Sequence, residues 1–304
     1  MNRRIEAVRT PDERFASLPG FDFAPHYLDG LQGYAGLRVH YLDVAPTGPP
    51  NGRTALCLHG QPTWCYLYRK MIPVFAAAGY RVVAPDLYGF GRSDKPVDDA
   101  VYTFSFHRGM LMRFIEALDL QRVLLVVQDW GGLLGLTLPF EYPDRIDRLL
   151  VMNTGLGVGR SPGPGFDAWK AFVAAKPDFS ISSMMKRSVP SLSDAEAAAY
   201  DAPFPERSYR AGARRFPALV PVAPDMDGVE VSRRAAAYLR EHWRGQTFMA
   251  IGMQDPVLGP PVMRDLADVI RGCPAPLELP QAGHFVQEQG REVAEAAVAA
   301  FGPG

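Results

Sequence analysis

Two hydrophobic patterns alternate along most of the chain: short all-apolar runs, and longer stretches with apolar residues every three or four positions. The first pattern reads as buried strand, the second as amphipathic helix. Thr54 to Leu58, Arg81 to Ala84, Val123 to Val127, Ile146 to Met152, Thr247 to Ile251 and Leu277 to Leu279 are strands on this reading. Tyr66 to Ala78, Phe104 to Leu118, Val231 to Trp243, Val262 to Ile270 and Val293 to Phe301 are helices. Ahead of them, His26 to Leu31 and Leu37 to Val44 form an antiparallel start, with Gly33 and Gly36 between. The alternation predicts an α/β fold with a mostly parallel sheet and helices on both faces. It breaks after Asn153, where glycine and proline accumulate. Pro177, Pro190, Pro203, Pro205, Pro217 and Pro221 divide the stretch to about Pro224 into short helices with no convincing strand. A helical insert over 157–226 therefore interrupts a core made of 1–156 and 227–304.

The run Val123 to Val127 stops abruptly at Gln128-Asp129-Trp130-Gly131-Gly132, and an apolar stretch from Leu133 to Phe140 begins a helix that ends near Pro143. Strand, sharp turn and helix, with a reactive side chain on the turn, make a nucleophile elbow that carries aspartate where serine is better known. Gly131 lets helix and strand backbones approach closely. Asp129 is expected at a helix N-terminus, where backbone N–H groups favour an anion. The plainer reading of Asp129 is an N-cap. The glycines of Gly155-Leu156-Gly157-Val158-Gly159 lack dinucleotide-loop spacing, and Ser161-Pro162-Gly163-Pro164 comes next in place of a helix, so they read as a hinge into the insert.

Asp129, Asp255 and His284 stand at the C-terminal ends of predicted strands, where open α/β sheets bind ligands. Singly, Asp255 reads as a turn residue and His284 as an ordinary loop histidine. Together they give the chain order nucleophile, acid, histidine, which is that of the α/β-hydrolase fold. In His59-Gly60-Gln61-Pro62 the backbone N–H of Gln61 is expected to pair with that of Trp130 as an oxyanion hole. His59 is expected to hydrogen-bond neighbouring loops. A carboxylate nucleophile is already ionised at neutral pH. It suits displacement at saturated carbon, leaving an alkyl ester on the enzyme. His284 then activates water, with Asp255 fixing its tautomer.

The chain has 304 residues, 47% hydrophobic and 21% charged, with a net charge of −1. These values fit a globular protein with a full core and give no electrostatic footprint for nucleic acid or an anionic membrane. No signal peptide or membrane span is read from the apolar pattern. Three cysteines without metal-ligand spacing, and six scattered histidines, predict neither a disulfide framework nor a metal site. A cytoplasmic monomer without cofactor is the expectation.

The segments His59 to Met71, Val127 to Gly132, Gly252 to Asp255 and Ala282 to Phe285 resemble those of haloalkane dehalogenases, in the subfamily with a Trp–Trp halide site. The resemblance extends through the insert at Phe166 to Lys170 and Arg214 to Pro217. It implies that the insert is a cap over an apolar pocket. It further implies that the indoles of Trp130 and Trp169 hold the departing halide, and that Leu133, Phe166, Phe216, Pro217, Val220, Val257 and Leu258 form the walls. The implied partners are a small apolar halogenated substrate, water and a halide ion. Indole donates one hydrogen bond and accepts none, which suits a soft anion. Gln61 departs from relatives with glutamate there, and the entry to the insert is short and rich in Gly and Pro. Two other readings stay open. One is an epoxide hydrolase or haloacid dehalogenase with the same nucleophile, using cap tyrosines such as Tyr200 and Tyr209 or a cap arginine among Arg187, Arg210, Arg214 and Arg215. The other is a non-catalytic binding module.

Overall fold

The protein is described here from a computed structural model covering residues 4–302. Its strands are β1 (Ala7–Val8), β2 (Pro25–Asp29), β3 (Arg38–Val44), β4 (Thr54–Leu58), β5 (Arg81–Pro85), β6 (Lys95–Pro96), β7 (Val123–Gln128), β8 (Ile146–Met152), β9 (Gln246–Gly252) and β10 (Leu277–Leu279). The helices are α1 (Ile72–Ala77), α2 (Phe104–Ala117), α3 (Trp130–Gly135), α4 (Pro164–Ala175), α5 (Ile181–Ser188), α6 (Asp194–Ala199), α7 (Ala211–Leu219), α8 (Val229–Glu241), α9 (Pro260–Val269) and α10 (Gly290–Phe301).

Eight strands form one sheet in the order β10-β9-β8-β7-β4-β5-β3-β2. It is parallel from β10 to β5, while β3 and β2 add antiparallel at one edge. The antiparallel start and parallel core therefore have the expected form. Every residue of β4 and β7 is buried, as central strands covered on both faces require. The ribbon of β1 with β6 was not foreseen. Two-residue strands leave no hydrophobic period to detect.

Two helix expectations need correction. The stretch 66–78 is a 3-10 turn at Cys65–Tyr68 followed by the short α1, which starts beside Pro73. Proline suits a first helical turn and breaks a longer helix. The helix after the elbow ends at Gly135. Leu136 and Leu138 are buried in turns beyond it, ahead of Pro139, which disfavours helical geometry in the residue before it.

Between β8 and α8 the described residues hold α4 to α7, a 3-10 turn at Arg207–Arg210, and no strand. Local chemistry starts these helices. Pro164 begins α4, earlier than the glycine–proline reading allowed, and Ser180 caps α5. Ser193 and Glu196 form a reciprocal capping box on α6. Phe166, Ile181, Met185, Ala199 and Phe216 turn inward and are buried.

Candidate active site

Asp129 occupies a strained elbow between β7 and α3, with φ 50° and ψ −125°. The strain is held by contacts on every side. Its N–H donates to Asn153 O at 3.0 Å, and its carbonyl accepts from Gly132 N–H, Leu133 N–H and the Thr154 hydroxyl. A Cβ on Gly131 would lie 1.9 Å from Leu58 O, so the elbow requires glycine there. The Asp129 side chain does not cap α3. It turns toward the loop after β4, where Gln61 N–H donates to Oδ1 at 2.7 Å. A Cβ on the neighbouring Gly60 would meet that same Oδ1 at 2.3 Å.

His284 follows β10 and Asp255 follows β9, and parallel strand pairing brings both loops to the same sheet end as the elbow. His284 Nδ1 lies 2.8 Å from Asp255 Oδ2, and Nε2 lies 3.6 Å from Asp129 Oδ2. Asp255 also accepts from Asn153 Nδ2 at 2.8 Å and from Val257 N–H at 2.7 Å. Burial works to raise the Asp255 pKa, but His284 and these donors outweigh it and hold the carboxyl below its ordinary value. Burial likewise works to lower the His284 pKa. Asp255 first, then Asp129, overcome it and raise the ring to about 10. Asp129 Oδ2 is beyond hydrogen-bonding distance, so its pull on the ring is through charge.

A cavity of about 970 Å³ opens between this constellation and the insert. Leu133, Phe166, Pro217, Val220, Val257 and Leu258 line it, as do Trp130, Trp169, Gln61, Asp129 and His284. Phe216 does not line it. That ring is fully buried behind Trp130, with centroids 4.5 Å apart. Trp169 Nε1 donates to Gln61 Oε1 at 3.3 Å, and Gln61 Nε2 donates to Ala213 O at 2.8 Å. The loop Gly155 to Val158 lies along the cavity, in keeping with a turn into the insert.

Tyr200 is buried with its hydroxyl on Glu288, and neither it nor Tyr209 lines the cavity. Of Arg187, Arg210, Arg214 and Arg215, Arg187 alone lines it and is exposed. Leu87 N–H donates to His59 Nε2 at 2.9 Å, giving the expected loop contact. His40, Cys65 and Asp86 are the one group of potential metal ligands drawn together among the described residues. Asp86 is already occupied by His40 Nδ1 at 2.7 Å and by Cys65 and Arg92 N–H groups, which makes it a brace for loops. Sequence reasoning missed Gln128 and Asn153. The available signal was a polar residue at the end of each of two apolar strands.

The α/β-hydrolase-fold family model matches residues 56–291. A haloalkane dehalogenase of Psychrobacter cryohalolentis is 44% identical over 96% of both chains, and one of Mycobacterium marinum is 43% identical over 96% of this chain and 98% of that one. The chain belongs to the haloalkane dehalogenases. A haloalkane dehalogenase of Paraglaciecola agarilytica, described as tetrameric, superposes with a TM-score of 0.94 at 49% identity, covering 98% of this chain and 99% of that one. The reaction is hydrolytic: a haloalkane and water give an alcohol, a halide ion and a proton. Among the described residues no helix is long and apolar enough to cross a membrane.

Proposed function

We propose that Asp129 attacks the halogen-bearing carbon and carries the alkyl group as an ester, which water activated by His284 then hydrolyses. What carries this reading is the Gln61 N–H on one oxygen of Asp129 with the His284 ring facing the other. In the first step the carbon–halogen bond breaks as the carbon–oxygen bond forms, and the halide leaves with both bonding electrons. The indole N–H groups of Trp130 and Trp169 are assigned to hold it. In the second step Nε2 takes a proton from water and the hydroxide oxygen bonds to the ester carbonyl carbon. The tetrahedral oxyanion then collapses and the bond from that carbon to the alkyl-bearing oxygen breaks. The alcohol leaves with the proton from Nε2, and the Asp129 carboxyl loses its proton to solvent. The Gln61 and Trp130 backbone N–H groups are assigned to stabilise the oxyanion. Asp255 orients the ring and balances the imidazolium. The residues 157–226 serve as the cap that excludes water from the first step.

His284→Phe separates the two steps. Displacement needs no base, so this variant should release about one halide per site and stop. Its mass should rise by the alkyl group, on the peptide containing Asp129. A folded variant that neither bursts nor gains mass with a reactive bromoalkane would sink the covalent route.

One chain carries the whole constellation, so a monomer stays the expected working unit. Sedimentation showing a stable tetramer, the state described for the Paraglaciecola protein, would overturn that. The free thiols of Cys57, Cys65 and Cys273 fit a reducing compartment, so cytoplasmic residence is proposed, to be checked by cell fractionation.

A further inference from the structure

Gln128 is the last residue of β7, directly before the nucleophile, and its side chain is fully buried. Its Nε2 lies 3.1 Å from His284 O and 3.0 Å from His284 Nε2. The carbonyl fixes which end of the amide is nitrogen, because an oxygen there would face a second acceptor with no proton between them. Gln287 Nε2, 3.5 Å from Gln128 Oε1, supports the same orientation. One amide proton serves the carbonyl, and the other points at the ring nitrogen that must take a proton from water.

We propose that Gln128 is a positioning residue for the second half-reaction: in the alkyl-enzyme, where Asp129 no longer carries charge, its amide N–H holds the Nε2 lone pair of a neutral His284 until water replaces it. This rests on the reading of His284 as the base. An N–H donor can bond only the unprotonated nitrogen, so the contact favours the neutral ring with its proton on Nδ1, facing Asp255. It opposes the two carboxylates that favour the imidazolium, Asp255 after β9 and Asp129 after β7. Glu288, in the turn after His284, is taken up by Arg69 and Lys70. Alkylation makes Asp129 neutral and removes one upward pull. The Gln128 amide then acts against Asp255 alone, in the intermediate that needs a free base. When water arrives, its O–H bond breaks and an N–H bond forms at Nε2. The amide keeps its bond to His284 O throughout, so the ring stays anchored as it changes charge.

Gln128→Met keeps the side-chain length and removes the donor, and Gln128→Glu replaces it with an acceptor for the imidazolium. Both should raise the pH of the acidic limb of steady-state turnover, by roughly one unit for Gln128→Met, the size of one hydrogen bond, and further for Gln128→Glu. The halide burst should keep its amplitude of one per site. A limb unmoved in both variants while the burst persists overturns the role of Gln128 and leaves the roles of Asp129 and His284 standing. Absence of ester in His284→Phe would instead overturn those roles. In Asp129→Asn, which carries no charge at the elbow, as in the ester, 15N NMR should show an unprotonated, hydrogen-bonded His284 Nε2 at neutral pH. A protonated Nε2 there overturns the inference even if the Gln128 variants do not fold.

Discussion

Trp169 holds its indole N–H against Gln61 Oε1, whereas the Trp130 indole N–H has no hydrogen-bond partner among the described residues and its ring packs, tilted by 55°, against Phe216. The two proposed halide donors therefore start from different states. Trp130 is free to donate, and Trp169 must exchange a side-chain oxygen 3.3 Å away for the halide. A neutral amide oxygen is a weaker competitor than a carboxylate, so Gln61 makes that exchange easier than glutamate would. Trp169→Phe keeps the aromatic wall and removes the donor. Loss of one donor to developing charge costs on the order of 3 kcal/mol in other enzymes. Carbon–halogen cleavage should slow accordingly, and chloroalkanes should suffer more than bromoalkanes because chloride is the poorer leaving group. Rapid-quench measurement of halide release checks this. Unchanged cleavage rates would reduce Trp169 to a packing residue.

At the scale of elements, a buried ion network ties the insert to the base-bearing loop. Arg69, beyond the turn after β4, donates to Glu288 Oε1 at 2.7 Å and to Glu196 of α6 at 2.9 Å, and Tyr200 at the end of α6 also reaches Glu288. Burial works to raise the Glu288 pKa, but Arg69 first, then Lys70 and Tyr200, hold it below its ordinary value. A carboxyl depressed in the fold adds stability above its unfolded value of about 4.3, and that share is lost as pH falls through the folded value. Arg69→Met leaves Glu288 buried without its strongest partner, a change that costs about 3–5 kcal/mol in buried pairs. Urea unfolding at neutral pH should show that loss, and the gap from wild type should close below about pH 4 as Glu288 is protonated. A neutral-pH gap under about 1 kcal/mol, the size of an exposed pair, would mean the network is not what fastens α6. None of this was legible in the sequence, because Arg69, Glu196 and Glu288 are far apart in the chain and each passes for a surface charge. The elbow was legible for the opposite reason. Five apolar residues, a polar break and two glycines lie within one segment, and each constrains the next. Phe216 was misplaced because the sequence shows that it is apolar and in the insert, but not whether it faces the cavity or stands behind Trp130.

At the scale of the whole molecule, the substrate space lies between the carboxyl ends of the strands and an insert that packs over them, so its size follows from how two layers meet. The cavity of about 970 Å³ greatly exceeds what a two-carbon haloalkane fills. Phe166, Trp169, Leu133, Val257, Leu258 and Val262 give it apolar walls. Each added methylene that enters such walls leaves water, which contributes about 0.8 kcal/mol, or roughly a fourfold gain. The distal chain makes the same contacts in the ground state and in the transition state. The gain should therefore appear in KM, with kcat nearly constant. For 1-bromoalkanes from two to six carbons, kcat/KM should rise with each carbon by up to that factor and level off where the chain reaches exposed lining such as Arg187. Initial rates of bromide release across the series measure it. An optimum at two carbons with steady decline afterwards would mean that the insert closes down on the substrate to a far smaller space.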